Sequence, residues 1–393
     1  MWTSIWVGKM PVTPVTSGTR VVPSNSQGLF APSTPYRRRV SVPLVTGVTG
    51  IFPTQIEVHK NHLFVSYLGS LQNCGTGLPY QWTVLTGAAE LGLGDTITGL
   101  MSVSGNEAQA ALLVTCVNRF GALYGNDSTD FNMVPISLEA GCKPYSLEQL
   151  DRVLALDESG VRDFRPTQAF GNYHSTTLTA HIQKQATGLT PLAAVIDRER
   201  SRYRIFFSAG RVLTGTPGKR WSWLWSEYPV TANVAHEGEV SGASRMFIGG
   251  TDGMVYEIKD CRSFDGTEIE AWLKTSYTHL GSPGYRKAFR RFDVEARGQS
   301  AGTINFLADF SYGGADIAPA YTASGTVPSP PTQWDVDVWD SGEWDGQFSK
   351  TIRFRVPGIG ENVSMTFHSL SDSQLPHELT GCNVTYLPRR QER

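Results

Sequence analysis

The chain repeats one local pattern: an apolar run of strand length, a short turn that contains glycine, and a second apolar run. The pattern occurs in LFVSYLGSLQNC (63–74), ALLVTCVNRFGALYG (111–125), RVLALDESGVRDF (152–164), YRIFFSAGRVLTG (203–215) and RMFIGGTDGMVYEI (245–258). Each segment has the length and the turn chemistry of a β-hairpin. The glycines expected in the five turns are Gly69, Gly121, Gly160, Gly210 and Gly253.

The spacing of these hairpins indicates a repeat architecture. They recur about every 40–50 residues, which is the length of a four-stranded β-propeller blade. A single hairpin is at best marginally stable in water, so each one needs neighbours that cover its faces. The pattern therefore predicts a β-propeller over residues 51–262. The alternative is a large sandwich that happens to contain hairpins.

One stretch inside this region also fits a helix. SLEQLDRVLALDES (146–159) opens with Ser146 and Gln149 at the spacing of a capping box. Against the helix, the apolar run in RVLALD has the length of a strand, and ESG forms a natural turn after it. The strand is therefore favoured.

After residue 262 the pattern changes to longer alternating runs. These runs are FDGTEIEAWLKTSYTHLG (264–281), KAFRRFDVEARG (287–298), TINFLADFSYG (303–313), KTIRFRVPG (350–358) and VSMTFHSL (363–370). They predict a second antiparallel β domain, sandwich-like or barrel-like, over residues 263–393. A Gly/Ala/Pro-rich segment at 312–331 is expected to be a loop. Residues 1–50, rich in Pro, Thr and Ser, are expected to form an extended N-terminal arm that contains up to two strands.

Composition agrees with an all-β fold. Charged residues make up 18% of the chain, and 40 glycines and 22 prolines accompany many valines, threonines and aromatic residues. Turn formers among β-branched and aromatic residues favour many short strands. The formal net charge of −2 predicts no bulk basic field that would recruit nucleic acid or an anionic membrane.

The cysteines and the apolar runs bear on the compartment. The five cysteines form no CxxC pair, which is typical of a reducing compartment: Cys74, Cys116, Cys142, Cys261 and Cys382. The N-terminus has no apolar core of signal-peptide length, and no run reaches the roughly 18 apolar residues of a membrane span. We expect synthesis in the cytoplasm and no membrane insertion.

Catalytic and metal-binding motifs give no assignment. The eight histidines form no HExxH pattern, and the chain has no G-x-S-x-G elbow, P-loop or GxGxxG. SFDG (263–266) is distantly similar to the Asp-box turn of sialidases, but it occurs once and fits a tight turn better. The arginine cluster that a sialidase needs is not brought together by any sequence pattern. We predict no enzymatic activity, no metal and no cofactor.

Aromatic and basic residues supply candidate surfaces. WSWLW (221–225) places three indoles on one strand face, which is typical of a core or subunit interface and less often of a sugar site. Basic residues that could face a neighbouring protein or DNA are Arg37, Arg38, Arg39, Arg286, Lys287, Arg290 and Arg291. On a regular strand Arg286 and Arg290 share one face and Lys287 and Arg291 the other, so the charge is expected to be split.

The stretch WDVDVWDSGEWDG (334–346) repeats Trp-Asp at intervals of five residues. An odd interval alternates the faces of a strand, and five residues turn a helix by about 500°, so neither structure aligns the indoles. We predict a loop that anchors its tryptophans in pockets of an adjacent subunit. The alternatives are packing within its own domain and a sugar or calcium site. The residues concerned are Trp334, Asp335, Trp339, Asp340, Trp344 and Asp345.

Two successive runs carry a resemblance to a known family. FIGGTDGMVYEIKDCRSFDGTEIEAWL (247–273) and LGSPGYRKAFRRFDVEARG (280–298) resemble virion structural proteins of short-tailed bacteriophages, in particular the tail nozzle or hub. The segments NCGTGLPYQW (73–82), ELGLGDTIT (90–98) and SRYRIFFSAGRVLT (201–214) are similar to the same group. The resemblance covers roughly residues 55–350.

This resemblance implies a virion component with a structural function. Such proteins form rings, commonly six-fold, below the portal and adaptor, and double-stranded DNA leaves through the central channel. Tail fibre, spike or needle proteins are the further partners implied. A slightly acidic chain suits a conduit, because each neutralised phosphate would add affinity for the passing DNA. The alternative function is a carbohydrate-binding or glycan-hydrolysing β-propeller that serves as a receptor-binding module.

Overall fold

A computed structural model gives the fold of the chain. It describes residues 6–10, 53–103, 110–138, 140–166, 173–186, 188–259, 263–264, 266–298, 302–313, 318–327, 350–370 and 377–391. Strands dominate these residues, which confirms the all-β prediction. Two compact units are present: one is Met10–Tyr256, and the other is Glu257–Arg393 together with Met1–Lys9.

The first unit contains four-stranded sheets that follow one another along the chain. The first strand, β1 (Trp6–Met10), belongs to the last of these sheets, although most of its residues are grouped with the second unit. The first sheet is formed by β2 (Gln55–His59), β3 (His62–Tyr67), β4 (Ser70–Asn73) and β5 (Ala89–Gly92). The second is formed by β6 (Ile97–Val103), β7 (Ala111–Cys116), β8 (Phe120–Tyr124) and β9 (Asn132–Ser137).

Two further sheets keep the same order, with strands paired as they occur in the chain. The third is formed by β10 (Glu148–Gln149), β11 (Val153–Asp157), β12 (Gly160–Pro166) and β13 (Tyr173–Thr177). The fourth is formed by β14 (Pro191–Asp197), β15 (Arg202–Phe207), β16 (Arg211–Thr216) and β17 (Ser222–Glu227). The segment with helical character at 146–159 therefore forms β10 and β11.

The fifth sheet combines the two ends of this region. It contains β18 (Ala232–Val240), β19 (Ala243–Gly250) and β20 (Val255–Lys259), and its order is β1-β20-β19-β18. Helical structure in the described residues is limited to α1 (Gln183–Ala186) and three 3-10 turns, at Val84–Thr86, Ala180–Ile182 and Ser208–Gly210.

The five apolar segments of the sequence form the two central strands of the five sheets. They correspond to β3–β4, β7–β8, β11–β12, β15–β16 and β19–β20. Every residue of β7 and of β11 is buried, on both faces of the strand. A strand that is covered on both faces reads as a continuous apolar run. This burial explains why the sequence pattern was strongest at these strands.

The first four sheets of the first unit stack face to face in chain order. Leu112 and Val114, on one face of β7, pack with Phe64 of the first sheet. Leu113, on the other face, packs with Val153 of the third sheet. The same alternation continues at β11, where Leu154 and Leu156 join the core shared with the fourth sheet. Each buried side chain of this size contributes roughly 1.5–3 kcal/mol.

The structure places the five predicted turn glycines at different points. Gly69, Gly210 and Gly253 lie between paired strands, and Gly160 is the first residue of β12. Gly121 was predicted in a turn but lies inside β8, and the β7–β8 connection is formed by residues 117–119. The three residues of this turn, 117–119, include no glycine, and Gly121 belongs to the strand that follows it.

The conformation of Gly210 explains its residue type. Its φ is +70°, and a Cβ at this position would approach the Tyr228 carbonyl oxygen to 1.9 Å. Only glycine adopts this left-handed backbone with no steric penalty. The turn between β15 and β16 therefore needs glycine both for its φ and for the close approach of Tyr228.

The second unit is an antiparallel sandwich. Its strands are β21 (Ser263–Phe264), β22 (Thr267–Glu268), β23 (Glu270–Lys274), β24 (Tyr285–Gly298), β25 (Gly302–Phe310), β26 (Tyr321–Val327), β27 (Lys350–Gly360), β28 (Val363–Leu370) and β29 (His377–Gln391). One sheet has the order β23-β28-β25-β26 and the other β27-β24-β29. Strands β21 and β22 form a separate hairpin.

Aromatic side chains from both sheets fill the core of the sandwich. Phe306 of β25 lies 5.1 Å from Phe292 of β24 and 4.7 Å from Phe354 of β27, measured between ring centroids. All three are buried. Offset and tilted aromatic contacts of this kind add about 0.5–1.5 kcal/mol each to the burial of their area.

Two elements of this unit differ from the sequence prediction. Part of the segment 312–331 was predicted to be a loop, but it forms β26, whose small polar residues alternate between the faces of an edge strand. Strand β29 was not predicted, because polar residues and a proline interrupt its apolar pattern. The Trp-Asp stretch at 334–346 lies outside the described residues, as do Arg37, Arg38 and Arg39.

Candidate anion-binding face

A β-bulge in β24 turns two consecutive arginines to the same side of the sandwich. The register between β24 and β27 shifts between Phe289 and Arg291, and the register with β29 shifts at the same place. Phe289 and Phe292 both enter the core, whereas Arg290 is exposed and the Arg291 side chain is 41% exposed. The prediction that Arg290 and Arg291 take opposite faces was wrong, because the bulge breaks the alternation.

A buried carboxylate organises the arginines of this face. The Asp293 side chain is 11% exposed, and its Oδ2 lies 2.7 Å from the Arg291 Nε. Its Oδ1 accepts a hydrogen bond from the Arg353 Nε at 3.0 Å. Arg353 stands directly opposite Asp293 on β27. One carboxylate thus pairs with two guanidinium groups: it forms an ion pair with Arg291 and accepts a charge-assisted hydrogen bond, stronger than a neutral one, from Arg353.

Two further arginines border a groove beside this pair. Arg355 stands opposite Arg291 in the register of β24 and β27. The groove is open, has a volume of about 890 Å³, and is lined by Ala288, Phe289, Arg290, Arg355, Val356, Pro357, Gly358 and Ile359. Among the described residues, neither Arg290 nor Arg355 takes part in an ion pair. Guanidinium groups that line a partly apolar groove can bind carboxylate or phosphate oxygens in bidentate geometry.

Lys287 does not belong to this face. It is fully buried, and its Nζ donates to the backbone carbonyls of Ser282, Tyr285 and Glu361 at 2.6, 3.0 and 2.9 Å. Desolvation lowers the pKa of this ammonium group, and Glu361 partly opposes that effect. The prediction of a partner-facing role for Lys287 was wrong, because its donors are used to fix the loop before β24.

The sequence did not point to Arg353 and Arg355. They lie in KTIRFRVPG, where the alternation predicts a strand with its two arginines on one face. They share a face with Arg290 and Arg291 because β24 pairs with β27, and no local sequence pattern predicts that pairing. Arg286 is exposed near the start of β24. The combination of R-x-R in one strand and R-R in another was the only signal available.

The three tryptophans of WSWLW (221–225), a candidate surface in the sequence, pack within the first unit. Trp221, Trp223 and Trp225 pack partly buried against the core between the third and fourth sheets. Trp223 Nε1 donates to the Leu178 carbonyl at 3.3 Å and Trp225 Nε1 to Gln185 Oε1 at 3.0 Å. The environment of this aromatic strand is therefore that of a packing surface.

The SFDG segment forms a tight hairpin turn. Gly266 lies in the turn between β21 and β22, with a φ of +87°. In the described part of the chain, no three His, Cys, Asp or Glu side chains are arranged to hold a metal ion. Within the same residues, no helix has the length and hydropathy needed to cross a bilayer.

Comparison with known proteins gives matches among solved structures only. No protein-family model and no curated protein matches the sequence. A crystal structure of BBS1N in complex with ARL6DN, soaked with mercury, matches with 16% identity and a TM-score of 0.37, covering 55% of this chain and 67% of that chain. A lead-soaked crystal of the same complex matches with 16% identity and a TM-score of 0.35, covering 51% and 57%. At these scores the likeness carries no argument about fold or function.

Proposed function

We propose that the chain is a structural subunit of the tail nozzle or hub of a short-tailed bacteriophage. In this role it forms a ring, with six copies expected, below the portal and adaptor of the virion. Double-stranded DNA passes through the ring, and tail fibre, spike or needle proteins attach to it. The chain is not an enzyme in this proposal, and it needs no cofactor.

The observation that carries the proposal is the structural role of SPGYRKAFRR (282–291), a segment that resembles the tail proteins. Lys287 fixes the loop that precedes β24, and the bulge directs Arg290 and Arg291 outward. The motif thus builds a rigid surface of fixed charge. A structural component of an assembly needs such a surface, and a segment that resembles the tail proteins provides one.

The first unit has features of a propeller, which would suit a ring-forming hub. Its first four sheets stack face to face, and first strands of neighbouring sheets lie against each other, with β2 on β6, β10 on β14, and β14 on β18. Strand β1 precedes this whole region in the chain, yet it forms the edge of the last sheet, next to β20. Closing a ring of blades with a strand from the opposite terminus is a way to protect the edges of its sheets.

In the proposed ring, the arginine face contacts protein rather than the passing DNA. A channel lined by unpaired guanidiniums would hold phosphates and slow the DNA. An acidic patch on a neighbouring subunit or tail protein gives Arg290 and Arg355 a stable partner instead. Partly buried bidentate pairs of this kind also fix the register of an interface.

Charge reversal of the face tests this role. We expect the purified wild-type chain to form rings, seen by negative-stain electron microscopy and weighed by mass photometry. Arg290→Glu combined with Arg355→Glu should weaken assembly at least about tenfold while the monomer stays folded. The matched control is Arg220→Glu, which reverses an exposed arginine in the other unit. A wild-type chain that remains monomeric both alone and with the adaptor would overturn the proposal.

A further inference from the structure

The outer face of the four-stranded sheet in the sandwich carries one row of side chains that crosses all four strands. Trp272 of β23 stands opposite His368 of β28. His368 stands opposite Asn305 of β25, and Asn305 stands opposite Ser324 of β26. The function proposed above does not use this row.

Hydrogen bonds run through the row in a single direction. The Ser324 hydroxyl donates to Asn305 Oδ1 at 2.8 Å. Asn305 Nδ2 lies 3.2 Å from His368 Nδ1, and an amide nitrogen can only donate, so Nδ1 accepts. The proton of the imidazole is then on Nε2, which lies 2.9 Å from Glu270 Oε1. These bonds fix each polar group before any ligand arrives.

The row ends in an indole held in place and half open to solvent. Trp272 is 53% exposed, and its ring stacks on that of His368 with 4.1 Å between centroids and 29° between planes. Cross-strand pairs stabilise a sheet. The exposed part of the Trp272 ring is a large aromatic surface that remains available for contact.

We propose that this face binds the uncharged pyranose rings of a polysaccharide. The apolar side of a pyranose ring lies flat on the Trp272 indole, while its hydroxyls reach the Glu270 carboxylate and the polar atoms of Asn305 and Ser324. An aromatic ring supplies apolar contact area at low entropic cost, and a small number of fixed polar groups beside such a surface orients a bound small molecule.

The charges of the face select against acidic sugars. No arginine lies in this row, in contrast to the outer face of the other sheet. The exposed Glu270 would repel a sugar carboxylate. The nearest cation on the strand, Lys274, lies 3.9 Å from the Asp309 carboxylate, which offsets its charge. Neutral rings are therefore preferred.

The test is calorimetric titration of the full chain with three neutral probes, cellohexaose, maltohexaose and mannohexaose, and one acidic probe, hexagalacturonate. We expect at least one neutral probe to bind with a Kd on the order of 0.1–1 mM. Trp272→Ala should weaken this binding at least about tenfold, and Asn305→Ala by a smaller factor. Tyr312→Ala, which removes another exposed aromatic ring of the same unit, should leave binding unchanged.

Three results would overturn the proposal. The first is no binding of any neutral probe at about 10 mM. The second is binding that Trp272→Ala leaves intact. The third is tighter binding of hexagalacturonate than of the neutral probes. Circular dichroism verifies that each variant is folded, and mass photometry of Trp272→Ala separates sugar binding from subunit contact: loss of assembly with no sugar binding by the wild type would identify an interface between copies.

Discussion

Lys287 carries a charge without exposure to solvent, and three backbone carbonyls surround its ammonium group. Lys287→Met keeps most of the side-chain volume and removes the donors. The carbonyls of Ser282, Tyr285 and Glu361 then lose their buried partner. We expect the free energy of unfolding of the sandwich to fall by about 2–4 kcal/mol, measured by urea denaturation.

An exposed lysine provides the control for this change. Lys274→Met alters the same side-chain chemistry in the same unit, where the lysine side chain is 54% exposed. Its loss should change stability by less than about 1 kcal/mol. Equal stability of the Lys287→Met and Lys274→Met variants would contradict a structural role for the buried ammonium group.

The raised pKa of Glu148 makes the stability of the first unit depend on pH. Burial raises the pKa of Glu148 from 4.5 to about 7; Arg198 lowers it and Glu237 raises it. Between these two values the folded state holds a proton that the unfolded state has released. Stability therefore falls as the pH rises from about 4.5 through 7. At pH 8 the ionised, buried group opposes folding by about 2–3 kcal/mol.

Replacement of this carboxyl removes the effect. Glu148→Gln should stabilise the first unit at pH 8, by up to the amount above, and should change little at pH 5. Urea denaturation at both pH values measures the difference. Glu199→Gln, which changes an exposed glutamate of the same unit, should show no such pattern. A Glu148→Gln variant that is less stable than wild type at pH 8 would contradict the prediction.

Among the elements, central strands were predictable and outer strands were not. β7 and β11 are buried on both faces, so their sequences are continuous apolar runs. β9 and β18 are only partly buried, and their polar residues resemble those of loops. β26 shows the same limit, because an edge strand with small residues carries a weak β pattern.

Strand β1 gives a prediction at this scale. Deletion of residues 1–10 leaves β20 as an open edge with unpaired backbone groups. We expect amide exchange in β19 and β20 to rise about tenfold or more, while β7 and β8 stay protected. Hydrogen exchange with mass spectrometry measures both regions.

A shorter deletion is the control for the truncation. Removal of residues 1–5 leaves the strand Trp6–Met10 in place and should leave exchange in β20 unchanged. Equal protection of β20 in both truncated chains would mean that β1 does not support the fifth sheet.

At the scale of the whole molecule, the sequence predicted the presence of two kinds of β architecture. In the sequence, short hairpins with glycine turns are followed by longer alternating strands. In the structure, the hairpins lie in four-stranded sheets and the longer strands form a two-sheet sandwich. The arginine face was predicted only in part. Arg290 and Arg291 were named, but Arg353 and Arg355 join them through a strand pairing that spans some sixty residues of chain, and a bulge decides their common direction.

Strand β1 also has a consequence for biosynthesis. It is synthesised before the other strands that the structure describes, and its partner β20 begins only at Val255. At about 5–20 residues per second, β1 waits on the order of ten seconds or more before that partner exists. The last sheet therefore cannot finish folding during the synthesis of the earlier ones. Because distant contacts also form slowly, capture of β1 is expected to be the late, rate-limiting step when the chain matures.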